Sequence, residues 1–90
     1  MSDNKVERKQ IMKILAVKKL AQEHNLSTLK NQEQKLLDGE SLEIDVLGDD
    51  EGEKLTHILG AIWVLEAVEK GMSFNDAIRA FTEKVRKSID

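Results

Sequence analysis

HILGAIWVLEAV, residues 57–68, is the stretch on which the fold turns. From Ile58 to Leu65 no polar side chain intervenes, and the run holds the single Trp and a mid-run glycine. The chain around it is 34% charged. An apolar run of this length suits a buried strand as well as a buried helix. Its flanks settle the choice, because EGEKLTH before it and EAVEKG after it are rich in helix formers. Leu55, Ile58, Leu59, Ile62 and Leu65 recur at helical spacing, while Ala61, Val64 and Val68 form a second apolar set on the opposite side. Gly60, Trp63 and Ala67 fall between the two sets. The spacing therefore predicts a helix over about residues 51–70, stopped by Gly71 and covered from more than one direction. Gly60 costs about 1 kcal/mol relative to Ala inside a helix, which predicts a close backbone approach there.

Outward from this segment the periodicity predicts three more helices. After it, Ser73 is an N-cap with Asp76 three residues on, and Phe74, Ile78, Phe81 and Val85 step by four, three and four along one seam. Before it, the first helix spans about residues 4–24, with Ile11, Ile14, Leu15, Lys18 and Ala21 as its stripe and Met12, Val17 and Leu20 widening it. Asn25 is expected as its C′ residue in the left-handed conformation. Ser27 is then expected to cap a weaker helix, about residues 28–38, that stops at Gly39. Leu42, Ile44 and Val46 alternate with Glu43 and Asp45, which is a strand period. A lone strand cannot satisfy its own backbone, so an extended arm packed on the helices is the preferred reading. A strand paired with a second copy and a continuation of helix are the alternatives.

The whole reads as one domain over residues 1–90. It is an all-α, compact four-helix bundle with a buried central third helix and an extended acidic connection between helices 2 and 3. Charge is segregated along it. Residues 1–37 carry eight Lys/Arg against four Asp/Glu, residues 38–53 carry eight acids and no base, and residues 54–90 carry six bases against five acids. The basic arm of residues 1–37 and the acidic segment of residues 38–53 should attract each other, within a subunit or between two.

The chemistry of the sequence excludes more than it assigns. With no cysteine there are no disulfides, thiolate metal sites or Cys nucleophile, which fits a reducing, cytoplasmic setting. No residue run is long enough to span a bilayer, and IMKILAV is broken by Lys13 and lacks a signal-peptide cleavage pattern. The acids at 38–53 fail the calcium-loop pattern, because Leu47 falls where a ligand is needed. His57 and Glu53 lie one turn apart but find no third metal ligand. His24, in the last turn of the first helix, reads as a helix-end residue. No tyrosine, no HExxH arrangement and no phosphate-cradling glycine loop is present, so no enzyme, cofactor, metal or small-molecule substrate is expected.

What remains is a small protein-interaction or regulatory domain. In a protein this short the core is marginal without help, and an apolar patch left on the third helix would mark a self-association surface. Leu59, Gly60, Trp63, Val64 and Ala67 are the interface candidates, with a homodimer as the expected assembly and another protein as a further partner. The alternative reading is a nucleic-acid regulator loosely resembling a helix-turn-helix. It would use the basic surface Lys5, Arg8, Lys9, Lys13 and Lys19 together with the basic end of helix 4. The net charge of −3 weighs against it, since phosphate binding rests on Lys and Arg.

Overall fold

A computed structural model describes residues 2–87, with side chains from residue 11 onward. Four helices follow in order: α1 (Ser2–Glu23), α2 (Leu26–Leu37), α3 (Glu51–Glu69) and α4 (Phe74–Lys87). No strand occurs among the described residues. α3 packs against each of the other three helices, and α1 also touches α4. The molecule measures 37 × 32 × 19 Å. α1, with 22 residues, is a rod of roughly 33 Å.

Side chains and glycine-ended turns satisfy loose backbone groups at the ends of α2 and α3 and at the start of α4. Asp50 caps α3, its carboxylate accepting from the Glu53 N–H at 2.8 Å, while Glu53 reaches back to accept from the Asp49 N–H at 2.6 Å. Ser73 Oγ accepts from the Asp76 N–H at 3.1 Å and starts α4 as expected. Gly39 and Gly71 end α2 and α3 with φ of 77° and 110°. At both ends the paired turn bonds of a Schellman motif form: Glu40 N–H to Lys35 and Gly39 N–H to Leu36, then Met72 N–H to Ala67 and Gly71 N–H to Val68.

The junction between α1 and α2 differs from expectation. Asn25 has φ −93° and ψ 171°, and its side chain accepts from the Thr28 N–H at 2.8 Å. It is therefore the N-cap of α2, not a left-handed end to α1, and Ser27 lies inside the helix. An Asn in this position can either end one helix or begin the next. The closely following Thr28 donor decides for beginning.

The core gathers Val17, Leu20 and Ala21 of α1, Leu29 of α2, Ile58, Ala61, Ile62 and Val64 of α3, and Ala77, Phe81 and Val85 of α4. Leu29, Ile58, Val17 and Val64 are its largest fully enclosed side chains, each worth roughly 1.5–3 kcal/mol of burial. α1 meets the core through a different face from the one its spacing suggested. Ile14, Ala16, Val17, Leu20 and Ala21 turn inward, whereas Ile11, Met12 and Leu15 are each more than half exposed. The helix is thus turned by about one residue, roughly 100°, from the expected stripe. The small face lets α1 come close to α3, and Lys18 stays in water.

Gly60 marks that closeness. A Cβ placed there would lie 2.7 Å from Val17 Cγ2 and 2.9 Å from two atoms of the Phe81 ring. The approach comes from side chains of α1 and α4 rather than from another backbone, and the glycine is what admits both.

Residues 42–47 form the extended arm. Leu42, Ile44 and Val46 lean half-buried on the core, and Glu43 and Asp45 point to solvent. Two buried polar side chains fasten the arm. Gln32 of α2, 2% exposed, accepts from the Glu43 N–H at 2.8 Å. His57 of α3, 5% exposed, bonds the Leu47 carbonyl through Nδ1 at 2.6 Å. A carbonyl can only accept, so Nδ1 carries the proton.

Candidate interaction surface on α3

α3 is enclosed over most of its circumference. His57, Ile58, Gly60, Ala61, Ile62 and Val64 are buried by α1, α2, α4 and the arm. One strip stays open, running along Gly52, Thr56, Leu59, Trp63, Glu66 and Lys70. Gly52, Thr56, Leu59 and Lys70 are exposed, and Trp63 and Glu66 are half-buried. Leu59, at 44% exposure, is the largest apolar side chain on α3 that the fold does not cover.

Above Leu59 the surface dips into a cleft of about 400 Å³ lined by Trp63, Glu66, Ala67, Lys70 and Met72. Its apolar floor and sides come from Trp63, Ala67 and Met72, the last held there by the Schellman turn at Gly71. Trp63 is braced from behind by Phe81, ring centroids 6.3 Å apart at 46°. The Lys84 ammonium sits 5.7 Å from the Trp63 ring centroid, a cation–π contact worth about 0.5–1 kcal/mol at the surface. On the other edge Glu66 pairs with Lys30 of α2 at 3.7 Å, both side chains about half exposed. The result is an apolar centre with charged edges.

Of the five interface candidates, Leu59 and Trp63 lie on this strip and Ala67 lines the cleft beside it. Gly60 and Val64 lie on the enclosed side, Val64 with no exposure at all. Met72 and Lys84 belong to the same surface but escape a reading of α3 by periodicity, because they come from the following turn and from α4. Within the sequence, the 67–72 offset of a Gly-terminated helix is the signal that adds Met72.

Of the basic candidates, Lys13 is half-buried and Lys19 exposed on α1, while the side chains of Lys5, Arg8 and Lys9 lie outside those described. Among the described residues the two salt bridges are Lys30–Glu66 and Lys35–Glu43. The second, at 3.3 Å, joins the basic arm of residues 1–37 to the acidic segment, as expected, through α2 rather than α1. Among the described residues no three His, Asp or Glu gather as a metal site. His57, Asp50 and Glu53, the natural start of one, already bond backbone groups. No described helix is long and apolar enough to cross a membrane.

The model of a family described as one of unknown function, DUF6952, matches residues 12–90. No curated protein and no solved structure matches.

Proposed function

We propose that the protein, which belongs to the DUF6952 family, is a non-enzymatic cytoplasmic protein-interaction domain that acts as a homodimer through the open strip of α3. The observation that carries this reading is the pair of exposed side chains Leu59 and Met72 with the half-buried Trp63 and Ala67 between them, along and just past a helix otherwise wrapped by its own fold. Apolar surface rimmed by charge marks association sites on small domains, and two-fold pairing is the commonest outcome.

Nucleic-acid binding is the competing reading. Lys13, Lys18 and Lys19 form no salt bridge among the described residues, which favours it. Against it, α4 would be the groove-reading helix, and its exposed Asp76 and Glu83 interleave with Arg79, Lys84, Arg86 and Lys87.

Light scattering tests the proposal. The wild-type mass should be about twice the 10.2 kDa of a single copy, and Leu59→Glu should halve it while keeping the helical circular dichroism. Leu59 suits this better than Val64, whose replacement by a charge would unfold the core. A wild-type mass of one copy at every concentration would refute the reading, as would a Leu59→Glu protein that stays paired.

A further inference from the structure

The open strip of α3 advances by four, three, four, three and four residues from Gly52 to Lys70. This is the seam spacing by which two helices interlock side chain into gap. It has a second property. About the point midway between Leu59 and Trp63, its members fall in pairs at equal offsets: Leu59 with Trp63, Thr56 with Glu66, and Gly52 with Lys70. A second α3 laid antiparallel across that point sets each member against its counterpart.

The counterparts are complementary. Leu59 is an exposed knob, and the cleft of about 400 Å³ beside Trp63 is a hole one turn away on the same face. A two-fold contact needs knob and hole on one surface, because both copies present the same patch. Thr56 would meet Glu66 of the second copy, a hydroxyl beside a carboxylate. Lys70 would lie over Gly52 of the second copy, which has no side chain to obstruct it and sits among Asp49, Asp50, Glu51 and Glu53. A parallel arrangement instead stacks Glu66 on Glu66 and Lys70 on Lys70, which like-charge repulsion opposes. Antiparallel helices also set the acidic N-terminal end of one beside the cation at the C-terminal end of the other.

We infer that two copies pair through α3 in antiparallel register, the axis passing between Leu59 and Trp63, with each Leu59 seated in the other copy's Trp63–Ala67–Met72 cleft. This rests on the homodimer reading and adds its geometry.

The protein has no cysteine, so introduced thiols report the register without background. Thr56→Cys and Glu66→Cys are made separately; within one helix these positions are about 15 Å apart, beyond the roughly 7 Å limit for a disulfide. Glu66 gives up only an exposed ion pair, so its loss should not disturb the fold. Under mild oxidation an equimolar mixture of the two variants should form a cross-linked dimer, and neither variant alone should. A Thr56→Cys protein that cross-links to itself, or a mixture that does not cross-link while light scattering of the wild type still gives a dimer, would overturn the antiparallel geometry and leave the dimer standing. A wild type that scatters as a single copy would overturn both.

Discussion

Replacing Gly60 by Ala sets two effects of known sign against each other. Helix propensity alone favours Ala by about 1 kcal/mol. The added methyl, however, would lie 2.7 Å from Val17 Cγ2 and 2.9 Å from Cε1 and Cζ of Phe81. Both neighbours are held: Val17 is fully buried with a β-branched side chain that has one favoured rotamer in a helix, and Phe81 is 6% exposed. Forcing a methyl into such a site costs about 1–3 kcal/mol. The balance is a net loss of about 1 kcal/mol, which lowers Tm by roughly 4–8 °C in a domain of this size. Urea unfolding followed by circular dichroism measures it as a lower midpoint with an unchanged slope. The same substitution in a Val17→Ala background should cost less, because the closest clash is gone and the two sites are coupled. If Gly60→Ala is more stable than wild type, propensity alone governs the site and the account of close packing between α1, α3 and α4 is wrong.

Three further outcomes concern the arm, a helix end and the core. His57→Phe and Gln32→Leu each remove one fastening of the arm, at a cost of about 1 kcal/mol; amide exchange should speed up at residues 42–47 well before it does in α3. Gly39→Ala meets no neighbouring atom, so its loss, about 1–2 kcal/mol in thermal melting, is the penalty of a positive φ alone. Leu29→Ala should cost about 2–5 kcal/mol from a fully enclosed site, whereas Lys30→Ala beside it should change stability by less than about 1 kcal/mol, since its pair with Glu66 is half exposed.

Most of the helix plan is legible in the sequence because its signals are local. Ser73, Gly39 and Gly71 act on residues three to five positions away, and the alternation at 42–47 identifies the arm and its inward face. What periodicity cannot fix is the choice between two apolar faces on α1. Ile11 and Leu15 are as hydrophobic as Ile14 and Leu20, and the choice falls to packing against α3 and α4, where the narrower side sets Val17 against Gly60. The same holds for the interface candidates. Gly60 and Val64 look no different in sequence from Leu59 and Trp63, yet they are occupied by contacts within the fold. Gln32 and His57 are illegible for another reason. Each serves a backbone group about ten residues away in sequence, and no residue pattern announces a backbone partner.

That choice of partner shapes what the acidic connection can become. Its two moorings grip an amide hydrogen and a carbonyl oxygen of the backbone, groups present at almost any residue, so the outward side chains add little: Glu43 makes one largely exposed pair with Lys35, and Asp45 points to water. Substitutions at Glu43 or Asp45 would leave the strap in place while rewriting the charge it displays. The protein thus carries a ribbon moored through its backbone, whose outer chemistry can drift with little consequence for the fold.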